Sequence, residues 1–243
     1  MLYAIAGVLV VVGLILIAVG RRKGALKSTI DATMTTAVRD LMEGQHAEIK
    51  GVASCDQPLT PPYSEIPCVH YSYKLQRRER SSSSSGSTSY TWRTIDSGSA
   101  QVPFSLTDTT GTVTVDPEGA AMDASIVVKR PVKPGDPTKG IPEGLLKTIV
   151  TAAAAMAQSP HRVEVRAVTL NQDLYVLGDV LRGPDGELRV GKGANKFLIS
   201  TKSEEQLVRS IGRMSMLLYF LGSAMVIGGM VILILKLGKV IPT

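Results

Sequence analysis

Cys55 and Cys68 are the chain's two cysteines, and His70 follows closely, a C-x12-C-x-H set built on the proline-rich segment CDQPLTPPYSEIPC. These residue types can form a disulfide, ligate a metal, pair a thiol nucleophile with an imidazole, or pack as small buried side chains. Structural zinc takes four ligands, usually from closely paired C-x2-C knuckles, and this set supplies neither the knuckles nor a fourth ligand. No metal and no cofactor are therefore assigned. Residues two apart in a strand share a face, so Cys68 and His70 read as strand side chains more readily than as a catalytic dyad. No catalytic residue is assigned. As a pair, Cys55 and Cys68 are candidates for a disulfide or for two thiols. A bridge over such a loop stabilises by roughly 3 kcal/mol through the entropy it removes from the unfolded chain. The redox compartment decides between bridge and thiols.

Two further groups invite chemistry. Asp108, Asp116, Glu118 and Asp123 lie in LTDTTGTVTVDPEGAAMD and offer oxygens to a hard cation, but their spacing matches no calcium loop and reads as acidic hairpin turns. Tyr90, Trp92 and Arg93 flank the serine-rich run SSSSSGSTS and form a candidate interaction surface, since aromatic residues and arginine are favoured at interfaces. The alternative for Trp92 is a place inside the core, where large aromatics usually go. No P-loop, G-x-S-x-G or H-E-x-x-H pattern is present.

The elements that must position these residues are mostly strands. HAEIKGVAS, CVHYSYKLQRR, TVTVD, SIVVKR, RVEVRAVTL, DLYVLGDVL, ELRVGK and KFLIS are short, alternating or β-branched, and separated by turns. Residues 45–200 are thus expected to be mainly β, an antiparallel barrel or sandwich with one or two inserted helices. The serine run reads as a hairpin loop. PEGLLKTIVTAAAAMAQS, residues 142–159, reads as an inserted helix starting at Pro142. In residues 28–44, Ile30, Met34, Ala37, Val38, Leu41 and Met42 recur at helical spacing before Gly44, which predicts a juxtamembrane amphipathic helix. Residues 201–213 read as a connecting helix capped by Ser203.

Residues 2–20 and 214–236 are apolar runs long enough to cross a hydrocarbon core of about 30 Å. The first lacks basic residues ahead of it, so it reads as an uncleaved anchor, not as a signal peptide. Arg21, Arg22, Lys23 and Lys27 follow the first run, and Arg209 and Arg213 precede the second. The positive-inside rule then places the central domain in the cytoplasm of a prokaryotic plasma membrane. These flanks supply much of the formal net charge of +6, so the lipid bilayer, not nucleic acid, is the expected partner. Ala224 and Gly228, with Gly222 and Gly229 nearby, offer a close-packing face to Gly7 and Gly13 or to a second copy, giving a homo-oligomer.

The order CDQPLTPPYSEIPCVHYSY, TW, VPFSLTDTTGTVTVDPEGA, VTLNQDLYVLGDV and FLISTKSEEQLVRSIGR, running into an apolar span, resembles the GIDE family over almost the whole chain. This family, also called the BAM (beside-a-membrane) domain family, includes a mitochondrial outer-membrane E3 ubiquitin ligase. The resemblance implies a β domain between two membrane spans. By analogy with the mitochondrial relative it also allows an external or periplasmic domain. A RING finger follows the second span in that ligase. Two cysteines and three histidines cannot furnish the two zinc sites of a RING, so ligase chemistry by that route is not expected of these residues. The functions left are a non-catalytic binding or scaffold module with a protein, peptide or lipid ligand, a ligase-like or thiol-dependent factor, and an oligomeric membrane-organising subunit.

Overall fold

From His46 onward the alternating and β-branched runs pair as strands, because each has one apolar row to bury. The computed structural model describes residues 2–82, 88–132, 160–184 and 186–237. The helix expected over 142–159 and residues 83–87 of the serine run lie outside the described residues. The chain forms a helix unit from its two ends and a β unit over Thr35–Lys202.

The strands of the β unit are β1 (His46–Ser54), β2 (Cys68–Ser82), β3 (Thr88–Gln101), β4 (Phe104–Thr107), β5 (Thr112–Val115) and β6 (Ala121–Asp123). They continue with β7 (Ser125–Pro131), β8 (His161–Thr169), β9 (Asp173–Arg182), β10 (Leu188–Gly191) and β11 (Leu198–Ser200). β1, β4, β5, β10 and β9 pair in that order, and β1 pairs with β9 to close a five-stranded barrel. Most pairs are antiparallel, as expected. β10 runs parallel to β5 and β6 parallel to β11, which the long connections between those strands permit.

Inside the barrel pack Ile49, Leu106, Val115, Val176, Val180, Val190 and Phe197. Each such side chain contributes about 1.5–3 kcal/mol by leaving water. In β9 every residue from Leu174 to Val180 is buried, so its sequence is nearly continuous in apolar residues instead of alternating. A β-carbon at Gly178 would meet Phe197 and Val190 at 2.8 and 2.9 Å, so only glycine fits there.

A second sheet has the order β3-β2-β8-β7. One face buries Tyr73, Val163 and Val165 against Tyr63. Tyr63 belongs to the proline-rich loop and takes φ 62°, a left-handed conformation unusual for a bulky residue. Burial of its ring, whose centroid is 6.4 Å from that of Tyr73, holds it there. Leu59 and Cys68 exchange backbone hydrogen bonds across the base of the loop.

The amphipathic helix expected over 28–44 does not form. Helix α1 (Leu2–Ala32) carries the first apolar run and its basic residues in one piece, and beyond it lies only a 3-10 turn, Val38–Asp40. Thr35 and Thr36 instead join the β unit: the Thr35 hydroxyl donates to Glu48 at 2.6 Å, and the Thr36 amide donates to the Glu48 carbonyl at 2.7 Å. Asp108 captures the next stretch, with Oδ2 accepting from the Val38 amide and Oδ1 from the Thr110 and Gly111 amides. Burial pushes the Asp108 carboxyl up, but the Thr110 hydroxyl and these amides outweigh it and bring the pKa down to about 2.

Helix α2 (Glu204–Leu237) joins the connecting segment and the second apolar run without a break. Ser203 caps it, accepting from the Gln206 amide at 3.4 Å. Both helices are long and apolar enough to cross a membrane, and only 17% and 11% of their most apolar windows are buried, unlike the core helix of a water-soluble fold. They pack antiparallel through Gly13, Gly222 and Gly229: a β-carbon at Gly222 would lie 2.8 Å from the Gly13 carbonyl oxygen. The Ser215 hydroxyl donates to the Gly20 carbonyl at 3.0 Å. Gly7 and Gly228, expected at this contact, have nothing near their β-carbon positions.

Two outcomes follow. Gly222→Val should lower the thermal stability of the detergent-solubilised protein by about 1–3 kcal/mol through overpacking, whereas Gly228→Val should leave it unchanged. Asp108→Asn should cost about 1–2 kcal/mol at neutral pH. In the wild type the Asp108 contribution is present above its unfolded value near 3.8 and is lost as pH falls through about 2, which unfolding curves at stepped pH will show against the variant.

Candidate functional site

The cysteines lie apart in their contacts. Cys55 is partly exposed at the end of β1 with its thiol toward the Pro103 carbonyl at 3.7 Å, and Cys68 is buried with its thiol toward the Leu59 carbonyl at 3.6 Å. Both are free thiols in this structure. Burial pushes the Cys68 thiol up to about 12, which leaves almost no thiolate for nucleophilic attack at neutral pH. Burial also lowers the pKa of His70, only partly opposed by a hydrogen bond with Gln101. Burial thus favours the protonated thiol of Cys68 and the neutral imidazole of His70, and the register of β2 with β8 shifts between the two residues.

Three of the four acidic residues named in the β4–β7 region are engaged within the fold. Asp108 closes its turn, Asp116 accepts from the Glu118 amide at 3.2 Å, and Asp123 binds Lys202 Nζ at 2.9 and 3.0 Å. Among the described residues, no three His, Cys, Asp or Glu side chains converge on a point where a cation would sit.

The second sheet brings the interaction residues together. Directly opposed residues of antiparallel strands share a face, so the register of β2 with β3 puts Arg78 with Trp92 and Arg80 with Tyr90. Gln76 pairs with Thr94 and also with Arg162 of β8, and Lys74 pairs with Glu164, extending the same face. Arg166 and, from β7, Lys129 complete it. Lys74, Arg78, Arg80, Lys129, Arg162 and Arg166 thus meet one carboxylate, Glu164, among the described residues of that face. Burial raises the Glu164 pKa, and Arg166 and Lys129 more than offset this, so it stays ionised.

Two guanidinium groups lie on the aromatic rings. Arg78 sits 4.0 Å above the Tyr90 ring and Arg162 sits 4.3 Å above the Trp92 ring, each stack contributing about 0.5–1 kcal/mol at an exposed site. Trp92 is therefore half-buried under an arginine and not in the barrel, while Tyr90 is 54% exposed. Arg93 points to the opposite face, where it stands across from Arg77. Glu79 lies between them, 2.7 Å from Arg77 and 3.7 Å from Arg93, and the Arg77 hydrogen bond holds its carboxyl below the usual range. The sequence reading names Tyr90, Trp92 and Arg93 but misses Arg78, Arg80 and Arg162. The alternation in QRRERSS carries the signal for the first two, whereas Arg162 joins only through sheet pairing.

Two polar clusters on the barrel strands are structural. His46 Nδ1 lies 2.6 Å from Asp179 Oδ1, and Asn195 donates to both Asp179 oxygens from its amide and side chain at 3.0 Å. His46 Nε2 has no hydrogen-bond partner among the described residues. Glu48, 1% exposed, accepts from the Tyr175 and Thr35 hydroxyls and faces Lys50 Nζ at 3.2 Å, so its charge is compensated. Among the membrane-flanking basic residues, Arg21, Arg22, Lys23 and Lys27 lie on α1, and Arg209 and Arg213 lie on α2.

Residues 73–233 match a protein-family model described as GIDE, E3 Ubiquitin ligase. The match starts within β2 and ends in α2, taking in the whole basic aromatic face and leaving Cys55 and Cys68 outside it. No curated protein matches the chain.

Removing the cation above Trp92 gives a direct check of this geometry. Arg162→Gln should uncover the chain's single tryptophan and shift its fluorescence emission to longer wavelength, with a stability loss of about 0.5–1 kcal/mol. An unchanged spectrum would contradict the stacked arrangement.

Proposed function

Because the chain belongs to the GIDE family, we propose that it is a membrane-anchored, non-catalytic binding or scaffold module whose β domain captures a ligand beside the bilayer. The observation that carries this reading is the face on β2, β3 and β8, where Arg78 stacks on the exposed Tyr90 and Arg162 on the half-buried Trp92, with little opposing charge among the described residues. Arginine and aromatic side chains are the usual anchors of binding surfaces, because they combine area, cation–π contact and directional hydrogen bonding. We assign no zinc-dependent ligase step to these residues. Their two cysteines and three histidines are too few for paired zinc sites, and the buried Cys68 is a poor nucleophile.

The two apolar helices serve as anchors in this reading, and Arg21, Arg22, Lys23, Lys27, Arg209 and Arg213 favour a cytoplasmic domain. A reducing compartment would keep Cys55 and Cys68 as the separate thiols seen here. A second reading, an oligomeric membrane-organising subunit, draws on Ala224 and Gly228, which are not used in the contact between α1 and α2.

A photo-reactive amino acid placed at Arg93 or Tyr90 in cells should yield discrete cross-linked species, and one at Ser54, exposed on β1, should not. Cross-linking should persist in a Cys55→Ser, Cys68→Ser variant. Equal patterns at all positions, or loss in the double serine variant, would overturn the non-catalytic binding reading.

A further inference from the structure

Resting on that binding-module reading, we infer that the ligand is an extended acidic polypeptide segment, which adds to the second sheet as a new strand along β3. Two independent observations converge on this chemistry. The first is backbone geometry. Among the described residues β2 is the one strand neighbour of β3, which makes this 14-residue strand the edge of its sheet. Natural sheets usually protect such an edge with proline, lysine or a very short strand. TSYTWRTIDSGSAQ contains neither residue and is not short; its one irregularity is the register shift at Ile95. A polypeptide can continue this ladder of N–H and C=O groups, whereas a lipid or a nucleic acid cannot.

The second observation is where the charge sits. Arg78 belongs to β2, yet its guanidinium lies over Tyr90 of β3. Arg162 belongs to β8, one strand further in, and its guanidinium crosses β2 to lie over Trp92 of β3. Both cations thus lie against aromatic rings that β3 supplies; Gln76 Oε1 of β2 accepts from Arg162 Nε at 2.8 Å, and the terminal guanidinium nitrogens remain to donate. On the opposite face Arg93 stands on β3 itself, with 70% of its side chain exposed. Side chains of an added strand alternate between the two faces at a spacing of about 4.8 Å from β3. A carboxylate on the face of Tyr90 and Trp92 therefore meets arginine, whereas on the other face Arg93 already faces Glu79 at 3.7 Å. Arginine forks favour carboxylates through paired hydrogen bonds. The chemistry specifies an extended segment with glutamate or aspartate at alternate positions.

Trp92, the single tryptophan, makes the test direct with the full-length protein in zwitterionic nanodiscs. A short peptide alternating glutamate and valine should change Trp92 emission saturably. The change should weaken as salt is raised, and Arg162→Gln and Arg78→Gln should each reduce affinity about tenfold or more. The same peptide with alternate backbone nitrogens methylated, and a lysine–valine peptide, should produce no change. The methylated peptide tests the ladder on the unaltered protein, so the inference stays testable even where an arginine variant misfolds. Equal binding of the methylated peptide overturns strand addition. A response to anionic vesicles or to a single-stranded oligonucleotide, with none to the acidic peptide, overturns the polypeptide assignment, as does silence toward all probes. Peptide failure with cross-linking retained at Arg93 sinks this inference alone; loss of both removes the binding-module reading as well.

Discussion

β9 pairs with β1 along one edge and with β10 and β11 along the other, so one strand both closes the barrel and carries its extension. That double duty requires burial on both faces from Leu174 to Val180. Burial on both faces in turn dictates what the neighbours are. Gly178 is the gap into which Phe197 and Val190 fit, and Asp179, a charge in an otherwise apolar run, is tolerated because His46 and Asn195 surround it. Burial also opposes ionisation of Asp179, but the Asn195 and His46 contacts prevail and keep its carboxyl below the usual range.

The second sheet depends on this closure less than on its own alternation. Its inner face carries Tyr73, Val163 and Val165, and its outer face carries the cations. The register shift near Ile95 decides what β3 contributes. Absorbing one residue there sets Trp92 opposite Arg78. An unbroken ladder would set Arg93 opposite Arg78, two like charges on a face with no nearby acid. The shift sends Arg93 to the other side, where Glu79 separates it from Arg77.

Much of this was legible in the residue order. The strand runs, the two apolar helices and the Ser203 cap follow from periodicity and capping chemistry, which are local. The β1–β9 closure and the reach of Arg162 to Trp92 were not, because both join residues far apart in the chain and no local pattern encodes such pairing. Residues 28–44 misled for a different reason. Their apolar spacing is helical, but Thr35 and the Val38 amide find partners in Glu48 and Asp108 that a helix would not provide. Tertiary hydrogen bonds outweighed a weak helical preference. At the site, residue types pointed to Tyr90 and Trp92, while the arginines that give the surface its sign became visible only once strand partners were known.

The chain meets the β unit at Thr35 and leaves it at Lys202, and a carboxylate ties down each crossing. Asp108 grips the Val38 amide near the first, and Asp123 grips Lys202 at the second, with Ser200 donating to the same carboxylate at 3.2 Å. The segments that lead into and out of the β unit are thus held to it by side-chain carboxylates as well as by the strand ladders.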